Sequence, residues 1–246
     1  MTVAQASLPA AVAARPAALD AARRAELAAL LAAAPCSRIA VEAASDGIRL
    51  EGFVPSAAVQ SEILAEAAAL VAPWPIDSRL ELQPWPFCDY LRLPAAGGRP
   101  GTAELRLNQP DGVYHANDYF VVEVGTSLDR PGFLYVDFVS NDGRVFHLLP
   151  HALAPDNRLV PEVRDDVRLG VADDAEAARS PERRHYRLGE PFGPGMLLVH
   201  VTDQPLFAEL REEVESTADY LPALETALAT RAGDFSRTVR FMEIRP

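Results

Sequence analysis

The chain of 246 residues contains no lysine, so all 23 of its basic side chains are arginines. This absence excludes Schiff-base chemistry and the phosphate-binding loop that depends on a lysine. With 35 acidic residues the net charge is −12, which disfavours general binding to nucleic-acid phosphates and makes membrane binding unexpected. No apolar run approaches the roughly 20 residues needed to span a bilayer.

A secretory signal begins with a basic segment that is followed by an apolar one. In this sequence no basic segment precedes the apolar part of the first residues. We interpret residues 1–17 as a flexible leader. The compartment is left open: we expect a periplasmic location if the chain is the tail of a membrane-anchored protein, and a cytoplasmic one otherwise.

Residues 18–85 show the order α-β-β-α-β in their hydrophobic periodicity. Ser56 is a typical N-cap for the second helix of this segment. The predicted elements are a helix over Leu19–Ala34, strands over Arg38–Ala44 and Ile48–Val54, a helix from Ser56 to about Val71, and a strand over Arg79–Gln83.

Residues 86–110 are rich in proline and glycine, which predicts a linker that contains one short strand, Ala103–Leu107. Residues 111–246 predict a β-rich domain with a late helix, Leu206–Arg231, kinked at Pro222, and a mobile loop over Asp173–Arg183. Its predicted strands are Tyr119–Thr126, Gly132–Ser140, Arg144–Leu149, Val167–Val171, Arg184–Leu188, Met196–Thr202 and Arg237–Ile244. The fold class is therefore α+β: a small α-β-β-α-β domain, then a β-sandwich-like domain with a C-terminal helix.

The first domain resembles the BON family in the strand pair before its second helix. The matching residues are Ile39, Val41, Gly47, Ile48, Leu50, Gly52 and Val54, followed by the helix after Ser56. This resemblance implies a domain without chemistry of its own, in a family associated with envelope attachment, lipid surfaces and protein contacts.

The second domain resembles a bacterial domain of unknown function found at the C-terminal end of serine/threonine kinases and caspase-like proteins. The matching stretches are 118–122, 132–137, 142–145, 147–150, 156–157, 191–193 and 205–207. The resemblance implies a sensory or scaffolding role, sometimes near type VI secretion genes, with no enzymatic residues to transfer. Kinase signatures are missing from the sequence itself: it has no glycine-rich phosphate loop, strand lysine, His-Arg-Asp loop or Asp-Phe-Gly.

The sequence has only two cysteines, Cys36 and Cys88, which bracket the first domain. A disulfide between them would close a loop of about 52 residues and stabilise the fold by roughly 4 kcal/mol in the chain-entropy model. The resembling kinase tails often carry a similarly placed pair, which favours the disulfide. The alternative is two unrelated buried thiols.

Chemically suggestive side chains gather around one predicted hairpin. The turn Asn141-Asp142-Gly143 fits a three-residue loop and sets Asp137 opposite His147, Phe138 opposite Phe146 and Val136 opposite Leu148. Asp137 and His147 form either a base with its orienting carboxylate, or a cross-strand hydrogen bond on the more polar sheet face. We favour the second interpretation because no serine or cysteine nucleophile shows a recognisable motif.

Tyr135 and His151 complete, with Asp137 and His147, a candidate ligand or partner site. The leading hypothesis is a non-catalytic interaction or regulatory module with protein partners, without metal or cofactor. The alternatives are a metal-dependent hydrolase around Asp137, His147 and His151, and an envelope-associated structural protein. The acidic run at residues 209, 212, 213 and 215 is expected to be the solvated face of the late helix.

Overall fold

The computed structural model describes residues 20–43, 47–94, 101–128, 131–160, 166–231 and 235–246. The chain divides into two compact units, unit 1 over Met1–Gln83 and unit 2 over Pro84–Pro246. The predicted leader, residues 1–17, lies outside the described residues. In the described part, no helix is long and apolar enough to cross a membrane.

Unit 1 has the predicted order, with α1 over Ala21–Ala33, β1 over Arg38–Ala43, β2 over Ile48–Val54, α2 over Ala57–Val71 and β3 over Ile76–Leu82. Asp20 caps α1 and Ser56 caps α2, each through a side-chain oxygen that accepts a backbone N–H. β2 pairs antiparallel with β1 and parallel with β3. Apolar side chains of both helices and of the sheet form one buried cluster.

Unit 2 consists of a large sheet, a small sheet and helices. Its elements are α3 (Phe87–Arg92), β4 (Gly101–Leu107), β5 (Val113–His115), β6 (Val122–Leu128), β7 (Gly132–Ser140), β8 (Arg144–Leu149), β9 (Arg158–Leu159), β10 (Asp166–Leu169), α4 (Asp174–Arg179), β11 (Gly193–Thr202), β12 (Val214–Ser216), α5 (Thr217–Ala229) and β13 (Phe235–Arg245). Within the described residues the large sheet has the order β12-β8-β7-β11-β13-β5, with β9 added to β7, and the small sheet has the order β10-β6-β4. The α+β class is confirmed.

Strand alternation divides the core of unit 2 between the two faces of the large sheet. On one face, side chains such as Val136, Phe138 and Val199 pack with Val122 and Val124 of the small sheet. Side chains on the other face pack with residues of α5 and α3; they include Tyr135, Val139, Val145, Met196 and Leu198. The sandwich thus occupies one side of the large sheet and the helices cover the other.

The predicted linker, residues 86–110, is instead part of unit 2. Phe87, Tyr90 and Leu93 of the α3 segment are buried in the cluster under α5, and β4 pairs with β6 along its whole length. Proline and glycine density predicted a linker, but buried side chains in α3 and the full pairing of β4 make both of these elements part of the fold of unit 2.

The late helix is shorter than predicted, since α5 begins at Thr217 and continues through Pro222 to Ala229. Ser216 caps it by accepting the N–H of Asp219 at 3.2 Å. Residues 206–213 are not helical, and the acidic run therefore does not lie on a helix face. Glu215 belongs instead to β12, which pairs with β8.

Two further predictions for the region before β11 are wrong. The predicted mobile loop over residues 173–183 contains α4, capped by Asp173, which accepts the N–H of Glu176 at 2.7 Å. The predicted strand Arg184–Leu188 is reduced to one bridge between Arg187 and Tyr119. A single bridge leaves the segment 180–192 largely irregular, and it lines the cavity described below.

Candidate functional site

The β7–β8 hairpin has the predicted turn. Gly143 has φ = 84°, a left-handed conformation that a side chain disfavours, and its N–H donates to the Ser140 carbonyl at 3.0 Å. Asp137 pairs with His147 and Phe138 with Phe146, as predicted.

One pairing of the hairpin is corrected. Val136 lies opposite Leu149 and not Leu148, because the register shifts between Val136 and Asp137. Such a bulge adds one residue to one strand beyond the Asp137–His147 pair and leaves the pairs nearer the turn unchanged.

Asp137 and His147 belong to a buried hydrogen-bonded network. His147 Nδ1 lies 2.6 Å from Asp137 Oδ1, and the Tyr220 hydroxyl donates to Asp137 Oδ2 at 2.6 Å. His147 Nε2 lies 2.8 Å from Glu215 Oε1, and the Arg211 guanidinium forms an ion pair with the same carboxylate. Strands β7, β8 and β12, helix α5 and the segment before β12 that carries Arg211 are joined by these contacts.

The face that carries this network is the more polar of the two, as predicted, but it is buried and not open to solvent. Asp137 is 1% exposed and His147 5% exposed, in the layer where α5 covers the sheet. Tyr220 of α5 packs edge-on to the His147 ring, with 4.7 Å between centroids. The charged groups of Asp137 and His147 can lie among apolar neighbours because each of them has a hydrogen-bond partner.

The charges of the network balance. Burial lowers the pKa of His147, but the Asp137 charge and its hydrogen bond, together with Glu215, outweigh burial and raise that pKa above its ordinary value. Burial raises the pKa of Glu215, yet hydrogen bonds from Arg211 and His147 hold it below its ordinary value. His147 is therefore an imidazolium between two carboxylates, and Arg211 neutralises the second of them.

This geometry limits the chemistry of His147. Both ring nitrogens face carboxylates, so neither is an acceptor for a substrate proton or a ligand for a metal. Asp137, His147 and His151 do not form a group whose ligand atoms all lie within 4.8 Å of one another in the described part of the chain. The ligand set of the hydrolase hypothesis is not assembled.

The other two predicted site residues lie apart from the network. The Tyr135 hydroxyl accepts the N–H of Leu206 at 2.7 Å, and its ring packs edge-on to Phe207. His151 is 2% exposed in a tight turn whose backbone bonds join it to Ala154. Only His151 and His147, of the four predicted residues, line the principal cavity.

The principal cavity of unit 2 has a volume of about 960 Å³. Its apolar wall comes from the sandwich core and includes Phe120, Phe138, Phe146, Leu148 and Leu188. Its basic wall consists of Arg144, Arg168, Arg183, Arg184 and Arg187. The cavity is therefore amphipathic, and its arginines share the wall with Glu182, Glu190 and Glu213.

Each of these arginines has a carboxylate partner. Arg144 pairs with Asp142 at 2.7 Å, and Arg168 pairs with Glu176 at 2.9 Å. Arg183 approaches Glu176 at 3.7 Å. The partners of Arg184 and Arg187 are, in order, Glu213 and Asp174. Each guanidinium group thus has a carboxylate neighbour and remains partly exposed.

Sequence reasoning missed most of this cavity. One feature of the sequence could have indicated the cavity wall. It is the run of basic and aromatic residues Arg183-Arg184-His185-Tyr186-Arg187. Its pattern predicts a strand, whereas its side chains line the cavity.

Both cysteines are in the disulfide form, as the favoured interpretation predicted. Cys36 has φ = 49° after α1, and Cys88 is fully buried in α3. The alternative of two free thiols is not observed.

No family model matches this chain, and no curated protein matches it. The crystal structure of a mutant of Salmonella alpha-2-macroglobulin is a structural match at 19% identity, over 60% of this chain and 7% of that chain, with a TM-score of 0.27. This chain spans a small fraction of that protein, and a likeness at this TM-score carries no structural argument.

Proposed function

We propose that this chain is a non-catalytic binding module whose unit 2 receives a partner in the basic cavity. The observation that carries the proposal is the cavity itself: about 960 Å³, with five guanidinium groups beside an aromatic wall. Binding sites are typically concave and mainly apolar, with a few polar groups in fixed positions. The arginines of the wall supply the polar groups here.

The state of His147 supports a role without catalysis. A general base needs a ring nitrogen that accepts a proton, and both nitrogens of His147 face carboxylates. Ser140 lines the cavity, but it lies three residues from Asp137 on β7 and therefore on the opposite face of the sheet. A serine–histidine–aspartate arrangement is not formed by these side chains.

The resemblance to kinase-associated domains gives this role a setting. We propose that the chain is the sensory or scaffolding part of a bacterial kinase or type VI secretion-associated system, and that its partner is a protein. Because unit 1 resembles the BON family, we propose that it contributes protein contacts or envelope attachment.

The proposal is tested by closing the cavity without disturbing the fold. Gly189 lines the cavity, and a Cβ at this position meets no atom within 4 Å. We expect Gly189→Trp to fold normally and to lose proteins that the wild-type chain captures from a lysate of its source organism. Gly189→Ala is the matched control and should retain them.

Mass spectrometry of the captured proteins gives the readout. Equal capture by wild type and Gly189→Trp would place the binding surface elsewhere and overturn the proposal. A specific partner that is lost only in Gly189→Trp would support the proposed binding cavity. If that partner is a kinase or a secretion component, the result would also support the proposed kinase or secretion system.

A further inference from the structure

His151 has an unused hydrogen-bond donor at the cavity wall. Its Nδ1 accepts the N–H of Leu153 at 3.2 Å, and the turn to Ala154 fixes the ring. The side chain is 2% exposed, and its Nε2 has no hydrogen-bond partner among the described residues. His151 lines the cavity, and its Nε2, which has no partner in the described part of the chain, keeps some exposure to solvent.

The hydrogen bond at Nδ1 determines which nitrogen carries the proton. A neutral imidazole whose Nδ1 accepts holds its hydrogen on Nε2. Burial, followed by the positive charges of Arg184 and His147, lowers the pKa of His151. At neutral pH the ring therefore holds one N–H donor, fixed in direction, on a residue that lines the same cavity as Arg184.

We infer that His151 Nε2–H and Arg184 together bind a carboxylate of an acidic, apolar peptide segment that belongs to the partner protein. This inference rests on the proposed function of the same cavity. The carboxylate receives one hydrogen bond from His151 and an ionic contact from Arg184, while apolar side chains of the segment pack against Phe138 and Phe146.

A peptide fits this cavity better than a fatty acid does. A fatty acid carries a single charge and requires an apolar channel beyond it. Here the arginines come from β8, β10 and the segment before β11, and Glu182, Glu190 and Glu213 also line the wall. Charges of both signs, distributed along the wall, suit a chain that has several polar groups.

A random dodecapeptide library displayed on phage, selected on the full-length chain and counter-selected on Gly189→Trp, tests the ligand class. We expect the retained peptides to be enriched in aspartate or glutamate next to aromatic or aliphatic residues. Retained peptides that are basic, or a library with no enrichment over the Gly189→Trp background, would overturn the inference.

Two variants of His151 separate its donor from its structural role. His151→Asn keeps an acceptor at the place of Nδ1 and removes the donor at Nε2, whereas His151→Gln keeps a donor near Nε2 and loses the Nδ1 acceptor. By fluorescence anisotropy with a selected peptide, we expect about tenfold weaker binding for His151→Asn and for Arg184→Gln, and less than threefold for His151→Gln.

If the three variants bound the peptide with equal affinity, the carboxylate site would be refuted. A stronger loss of affinity in His151→Gln than in His151→Asn would refute it as well. Dodecanoate serves as the competing probe: displacement of the peptide by micromolar dodecanoate, with retention of dodecanoate by the wild type alone, would assign the site to a lipid. Loss of partner capture in Gly189→Trp together with unchanged peptide binding in the His151 variants would refute this inference and leave the proposed function standing.

Discussion

His200 provides the sharpest test of the physical reasoning. It lies in the middle of β11, between β7 and β13, and is fully buried beside Phe235. Both of its ring nitrogens are sealed from solvent and have no hydrogen-bond partner among the described residues. Burial, followed by the charge of Arg237, lowers its pKa from 6.5 to about 3.

The consequence for stability follows from proton linkage. The unfolded chain binds a proton at His200 below pH 6.5, whereas the folded chain does so only near pH 3. Stability from this group is therefore complete above pH 6.5 and is lost as the pH falls. Between pH 7.5 and 5.0 the loss is about 2 kcal/mol, from 1.36 kcal/mol for each pH unit below the unfolded pKa.

We expect His200→Leu to remove this loss. The substitution also eliminates two unsatisfied buried nitrogens, so at pH 7.5 the variant should be more stable than wild type by about 1–3 kcal/mol. At pH 5.0 the difference should grow by about 2 kcal/mol. His147 shifts in the opposite direction, but it is present in both proteins and cancels in the difference.

Urea unfolding at the two pH values measures this effect. In a Trp74→Phe background the remaining tryptophan, Trp85, reports on unit 2. His115→Gln replaces an exposed histidine of β5 and serves as the control. An equal loss of stability on acidification in wild type and His200→Leu would refute the reasoning.

Three further predictions concern the hairpin and its network. Tyr220→Phe leaves Asp137 Oδ2 without its buried donor, so urea unfolding should show a loss of about 1–3 kcal/mol, whereas Tyr119→Phe, at an exposed hydroxyl, should cost less than about 1 kcal/mol. Glu215→Gln removes one negative charge from His147, and an NMR titration of the imidazole should show its pKa lowered relative to wild type; a raised pKa would contradict the charge assignment. Gly143→Ala places a side chain at φ = 84° and should destabilise unit 2 by about 1–2 kcal/mol, with Gly189→Ala as the neutral comparison.

Local signals in the sequence predicted the parts of the fold that depend on neighbouring residues. The β7–β8 turn was predictable because Asn141-Asp142-Gly143 specifies a short loop and the pairs beside it alternate in polarity. Helix α2 was predictable because Ser56 marks its start and an apolar stripe follows.

The errors arise where distant segments decide the structure. Glu215 ends a helix-like acidic run, yet β12 is formed because β8 offers an edge some 70 residues earlier in the chain. The Asp137–His147 pair was predictable from the hairpin, but its second carboxylate and its tyrosine come from residues that no local pattern connects to it. The cavity has the same origin, because its basic wall combines arginines of β8 and β10 with those of an irregular segment before β11.

The paired arginines have a consequence for how any acidic segment enters the cavity. Because each guanidinium already contacts a carboxylate of the same chain, an incoming carboxylate competes with Glu213 or Asp174 and does not meet an unneutralised cation. Entry is then an exchange of counter-ions, in which the Coulomb energy gained is largely returned by the contact that is broken. Net affinity then comes mainly from the aromatic wall and from the single donor of His151. Arg184 is still required, because without it Glu213 would be left unneutralised and would repel the incoming carboxylate. The complex should dissociate rapidly, as a reversible regulatory contact requires.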